Sequence, residues 1–286
     1  MGDVNDDSTA QDPGPQPPAT DGPAHVRRML TELAFPAGAM REQHRELERC
    51  FADALGPQMG LLTGAESKGD GESHFAVRHL LARAMSDLIV SLHLITHGYL
   101  TQAYNALRMA YETLDLVELL ATEPGEAERW VNTEKGHVEF RPGAVRERLG
   151  RPSFDEVYSQ ISEFAHPRFK ASKLSTVAKR REGSDELTVV AHIGPFMLDE
   201  LPDHWLLAMF LVPTVGMLSA RLGHLTETGA VKKSDWQTAA LSTQTALSEM
   251  AKLIEGQLSQ FDIDASAITQ EYAGVRSVIE NAPTES

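Results

Sequence analysis

Residues 75–121 read FAVRHLLARAMSDLIVSLHLITHGYLTQAYNALRMAYETLDLVELLA, and their periodicity decides the fold. Val77, Leu81, Ala84, Leu88, Leu92 and Ile95 recur every three or four positions, which places them on one stripe of a helix over Phe75–His97. Leu80 and Ile89 widen that apolar face, so this helix is expected to be covered on more than one side and to sit centrally. A second stripe, Leu100, Ala103, Leu107, Ala110, Leu114, Val117 and Ala121, predicts a helix over Tyr99–Ala121. Gly98 alone separates the two. So short a junction favours an antiparallel helical hairpin whose apolar faces bury each other.

Working outward, Leu47, Phe51 and Leu55 share one helical face in a segment from His25 to about Gly56 that Pro36 interrupts, and Gly60 to Gly71 reads as a glycine-rich loop. Downstream of Glu123-Pro124-Gly125, short helices are expected over Glu126–Asn132 and Pro142–Leu149. A further helix starts at Ser153, with Glu156 three residues on as a capping box, and ends near His166 because Pro167 disfavours the α conformation before it. Thr188-Val189-Val190 and the turn-forming Glu182-Gly183-Ser184-Asp185 predict a small β-hairpin within about 174–194. A buried helix follows over Pro202 to about Leu225. A last long helix over Ser234–Phe261 uses Trp236, Ala240, Thr243, Leu247, Met250, Ile254 and Phe261. The expected fold class is all-α, a multi-helix bundle of about six main helices with a small β-hairpin insertion. Its domains are an acidic, proline-rich, disordered tail over 1–23, a helical bundle over 25–262 and a frayed tail over 263–286. No internal repeat of fixed period is present.

The formal charge is −15. Five Asp and no base fall within residues 1–24, leaving 26 bases against 36 acids in the remainder, so the body is itself acidic. Like charge argues against non-specific coating of nucleic acid or an anionic membrane. Cys50 is the single cysteine, which rules out an intramolecular disulfide or a thiolate zinc cluster and fits a reducing, cytoplasmic setting. It is expected to be a packed thiol on a helix. No secretory signal pattern opens the chain. The run Trp205 to Ala220, free of charge and of histidine, falls short of a membrane span and contains Pro213 and Gly216, so a buried core helix and no membrane partner are expected.

Walker, dinucleotide-glycine, His-Glu-x-x-His, Gly-x-Ser-x-Gly and paired-cysteine signatures are absent from the sequence, and nothing in it calls for a cofactor. His93 and His97 have the four-residue spacing of two metal ligands on one helix face, but no accompanying Glu or evident third ligand; no metal is expected. Thr101, Asn105, Arg108, Glu112 and Asp115 form a polar stripe beside the apolar one. Either this is a solvated face carrying an ion pair, or Glu112 pre-orients the Arg108 guanidinium for a phosphate or carboxylate. Arg83 and Asp87 repeat the spacing on the preceding helix; facing inward, the two pairs would make one buried polar network. His166 is either a helix C-terminal cap or a fixed imidazole suited to proton transfer or phosphate contact. From Arg168 to Arg181 the chain carries Arg168, Lys170, Lys173, Lys179, Arg180 and Arg181 with no acid, as a solvated hairpin tip or as an electropositive lip beside His166.

The stretch Tyr104-Asn105-Ala106-Leu107-Arg108-Met109-Ala110-Tyr111-Glu112, followed after short helices by Ile161-Ser162-Glu163-Phe164-Ala165-His166-Pro167, resembles bacterial all-helical families related to the HEPN (higher eukaryotes and prokaryotes nucleotide-binding) superfamily. The resemblance covers roughly residues 75 to 170. It implies a helical bundle, frequent dimerisation and, in many members, metal-independent RNA cleavage by an Arg and a His separated by four to six residues. Here the positions for that Arg hold Ser159, Gln160 and Ile161, so the usual nuclease pair is missing.

The residues therefore favour a non-enzymatic binding protein for a phosphate-bearing ligand, RNA or a nucleotide. Its expected ligand-binding set is Asn105, Arg108, Glu112, His166, Arg168, Lys170, Lys173, Arg180 and Arg181. Two alternatives remain: a ribonuclease using His166, Arg108 and Glu112, or a homo-oligomeric partner-binding protein that self-associates through the near-heptad seam of 234–261.

Overall fold

A computed structural model of the chain describes residues 44–65, 72–123, 125–151, 156–165, 176–180, 187–191 and 202–263. The expected N-terminal tail, the Pro36 break, Ser153, His166, Arg168, Lys170, Lys173, Arg181 and residues 264–286 lie outside them.

The fold is all-α. In chain order the helices are α1 (Arg45–Gly64), α2 (Glu72–Thr96), α3 (Leu100–Thr122), α4 (Glu126–Asn132), α5 (Gly136–Glu139), α6 (Pro142–Arg148), α7 (Glu156–Ala165), α8 (Asp203–Met209), α9 (Leu211–Leu222), α10 (His224–Glu227) and α11 (Lys233–Leu258), closed by a 3₁₀ turn over Ser259–Phe261. Among the described residues this helical body contains no strand. Apart from it, Thr176–Arg180 runs antiparallel to Leu187–Ala191, with Thr176 opposite Ala191 and Arg180 opposite Leu187.

α2 and α3 form the expected antiparallel hairpin, and every residue of the α2 stripe is buried. Gly98 makes the turn at φ 77°. Its N–H donates to Ile95 O (3.0 Å) and that of Tyr99 to Leu94 O (2.8 Å), the paired bonds of a Schellman end that glycine's missing Cβ permits. Deeper in the pair, the Ser91 hydroxyl donates to Ala103 O at 3.1 Å, so a buried polar group is satisfied across the two helices.

Several expectations are corrected. The central helix is α9, which packs on α1, α2, α3 and α11 and buries nearly its whole circumference, from Leu211 through Ser219. With no charge between Trp205 and Ala220, it has no face to give to water. Ile89, by contrast, is 45% exposed, so α2 keeps a solvent side. The run Asp203–Glu227 is long and apolar enough by composition to cross a membrane, and 78% of its apolar window is buried inside the protein. Within it the helix breaks at Phe210, because Pro213 has no N–H for the Met209 carbonyl.

The predicted loop from Gly60 is helix as far as Gly64. α1 continues through Gly56 and Pro57 with α11 packed along its side: Thr243 Oγ1 donates to Ala54 O (2.8 Å), and Gln58 Nε2 donates to Thr243 Oγ1 (3.2 Å) and Ala54 O (3.3 Å). A carbonyl in the turn before the proline thus has two side-chain donors. The α11 seam of Trp236, Ala240, Thr243, Leu247, Met250 and Ile254 is buried in the contact with α1, α8 and α9, so it is used within the chain and does not offer a free surface for self-association. Phe261 is only half-buried.

Candidate functional site

The polar stripe of α3 faces neither solvent nor an open cleft along its length; it runs from the surface into the core. Asn105 is exposed and its Nδ2 donates to Thr101 O at 3.1 Å. One turn on, Arg108 Nε donates to Glu112 Oε1 at 2.6 Å, with side chains 22% and 16% exposed. Asp115 is buried, and so is the far end of its ion pair.

Arg146 of α6 is the largest fully buried side chain of the described residues. Its Nη1 donates to Asp115 Oδ2 at 2.7 Å, and Arg151 Nη1 donates to Oδ1 of the same carboxylate at 2.5 Å. The helix ending makes this possible. Gly150 adopts φ 66°, its N–H bonds to Glu147 O (3.1 Å) and that of Arg151 to Arg146 O (2.9 Å), so a second Schellman turn sets Arg151 beside Arg146. Arg151 Nη2 also donates to Glu118 at 2.5 Å, and Glu118 accepts Arg221 of α9 as well. Three guanidiniums and two carboxylates from α3, α6, the turn after it and α9 therefore form one connected cluster.

This cluster joins the Arg108–Glu112 pair through aromatic groups. The Arg146 guanidinium lies over the Tyr158 ring (5.0 Å) and the Tyr111 ring (5.8 Å), and the Tyr158 hydroxyl donates to Glu112 Oε1 at 2.7 Å. Burial and the neighbouring Glu112 carboxylate push the Tyr158 phenol up, keeping it protonated as a donor. Burial likewise raises the Asp115 carboxyl, with Arg146 and Arg151 pulling it back. Burial lowers Arg221, while Glu118 works the other way.

The structure does not bring Arg83 and Asp87 into this network. Arg83 is 52% exposed and its Nε stands 3.9 Å from Asp87, on the solvent side of α2. The His93 and His97 rings lie with centroids 4.0 Å apart and planes tilted by 38°, and His97 Nδ1 is 2.7 Å from the His93 carbonyl, where its N–H would donate. Among the described residues no group of three or more His, Cys, Asp or Glu could hold a metal ion. Cys50 is buried, and burial pushes its thiol up, away from nucleophilic use. A cavity of about 300 Å³ lies between the end of α1 and the start of α11, lined by Gly60, Gly64, Val231 and Lys232 among others, and shares no residue with the network.

Glu118, Arg146, Arg151, Tyr158 and Arg221 escape a reading of the sequence. One signal for them is present. Asp115 and Glu118 follow Glu112 at three-residue spacing, and α3 offers no Lys or Arg within one turn of either, so their counter-charges must come from elsewhere in the chain. Comparison with protein-family models, curated proteins and solved structures finds no match to this chain.

Proposed function

We propose that this protein is a non-enzymatic binding protein for a phosphate-bearing ligand, RNA or a nucleotide, with Arg108 as the contact on the bundle. The observation that carries this reading is the fixing of Arg108: its Nε is bound to Glu112 at 2.6 Å, and Glu112 is itself held by the Tyr158 hydroxyl at 2.7 Å. A half-buried guanidinium oriented from behind loses little freedom when it meets an oxyanion. Tyr158 lies on α7, and the basic run Arg168–Arg181 follows that helix within three residues of its end, as a hairpin-bearing insertion that would supply further cations. Kinship with HEPN-related families is part of the same proposal.

The test is equilibrium binding of a fluorescent single-stranded RNA and of inorganic pyrophosphate to the full chain. Arg108→Ala removes a charge-assisted contact and is expected to weaken both by roughly tenfold, the equivalent of about 1.5 kcal/mol. R180E with R181E should weaken the RNA and flatten its salt dependence. Unchanged binding in both variants overturns the reading. The same RNA incubated with EDTA tests for cleavage: cutting by the parent chain that His166→Ala abolishes would replace the binding reading with the ribonuclease one.

A further inference from the structure

The solvent side of α2 is built unlike a helix face meant for water. Phe75 (71% exposed), Ile89 (45%) and Val90 (48%) stand open, and the Phe75 ring stacks on His79 with centroids 6.1 Å apart. Between them the exposed positions Ala82 and Ser86 are small. The Ser86 hydroxyl donates to Ala82 O at 3.0 Å, so its polarity is satisfied within its own helix. At 100° per residue, Ser86 falls at the centre of this face, with Phe75, His79, Ala82, Val90 and His93 all within about 40° of it. Arg83 stands about 60° from that centre with Asp87 about 100° away on the same flank, and Arg78 lies about 80° away on the opposite flank. Neither is well used at home: Arg83 is 52% exposed, the Asp87 side chain is 27% exposed, and their separation is 3.9 Å.

We propose that two copies of this chain pack α2 against α2, antiparallel, about a two-fold axis at Ser86. The sequence of the face is self-complementary under that operation. Ser86 meets Ser86, Ala82 meets Val90, His79 meets His93 and Phe75 meets His97, so each bulky group faces a small or planar one. Arg83 comes within about 3 Å, along the axis, of the level of Asp87 on the other copy and on the same flank, within reach of its side chain. Each copy then offers the other a cation and a carboxylate that are poorly paired in the isolated chain, which is the isologous arrangement a two-fold requires. Small residues at the centre allow helix axes about 8–10 Å apart, which puts the facing Ser86 Cα atoms roughly 4–5 Å from each other. The proposal does not depend on the binding function above, and it uses a surface other than the α11 seam, which is buried within the chain.

Sedimentation equilibrium of the full chain should give twice the 31.3 kDa chain mass. Arg83→Asp and Asp87→Arg should each weaken the dimer by roughly tenfold or more, since each sets like charges opposite one another. Mixing the two variants restores a tight heterodimer, because every crossed pair is again opposite in sign. Ser86→Cys treated with diamide should form a covalent dimer through a disulfide of suitable Cα spacing. Leu241→Cys, 59% exposed on α11, should not, and the buried Cys50 does not compete. A parent chain that sediments as a monomer overturns the proposal. So does a dimer indifferent to both charge reversals, or a Leu241→Cys chain that cross-links as readily as Ser86→Cys.

Discussion

Truncating Arg146 tests whether the buried cluster is a structural element of the bundle. Arg146 and Asp115 are 2% and 3% exposed and 2.7 Å apart. Removing one member of a buried pair costs roughly 3–5 kcal/mol, because the other charge is left without its compensation. Asp115 keeps Arg151 at 2.5 Å, so Arg146→Met should sit at the low end, about 3 kcal/mol, or roughly 6–12 °C in Tm for a chain of this size. The pH dependence is the sharper readout. Burial already holds the Asp115 carboxyl above its ordinary range, and losing Arg146 lifts it further. A carboxyl whose folded pKa exceeds its unfolded value binds its proton more tightly when folded. Its contribution to stability is complete below the unfolded pKa and is lost as pH rises through the folded one. The deficit of Arg146→Met should therefore be largest at neutral pH and narrow in acid. Urea unfolding of parent and variant, followed by circular dichroism at several pH values, measures it directly. Combining Arg146→Met with Asp115→Leu should recover most of the loss, since an apolar pair of similar volume often replaces a buried ion pair at little cost. A neutral-pH deficit under about 1 kcal/mol, or one that widens in acid, would refute the reasoning.

Other substitutions probe the parts around it. Tyr158→Phe removes the donor to Glu112 and should cost about 1.5–3 kcal/mol, with a few-fold loss of pyrophosphate affinity as Arg108 loosens; affinity unchanged from the parent would mean Arg108 needs no support. Gly150→Ala places a Cβ at φ 66° and should destabilise by about 1–2 kcal/mol, and the loss should shrink when Arg151 is already Ala, as a double-mutant cycle would show. Thr243→Val leaves Ala54 O without its shortest side-chain donor and should cost about 1–3 kcal/mol in urea unfolding. Gly223→Ala would bring a Cβ to 2.9 Å from Ala220 O and 3.0 Å from the Trp236 ring, an overpacking worth about 1–3 kcal/mol by thermal unfolding.

Local pattern carried far in this protein. The α2 and α3 stripes, the Gly98 turn and the buried face of α11 were all readable because each depends on residues within one or two turns. The same is true of the Arg108–Glu112 pair, whose partners are four apart. Where reading failed, a distant element had overruled a local preference. Gly60 and Pro57 are helix breakers by themselves, yet α1, packed along α11, stays helical through Gly64. Ile89 fits the apolar pattern of α2 but faces water, since α9, rather than α2, takes the centre of the bundle.

The sequence by itself therefore determined the class of the fold, the order and limits of most helices, and that Arg108 and Glu112 stand one turn apart on α3. Only the tertiary structure decided that the stripe goes inward at Asp115, because the partners of that carboxylate lie 31 residues away for Arg146 and 36 for Arg151. Helical periodicity records which face of a helix is apolar. Which charges meet inside depends on how α6, α7 and α9 are laid across α3, and on a left-handed glycine at 150 that turns Arg151 onto the carboxylate Arg146 already holds.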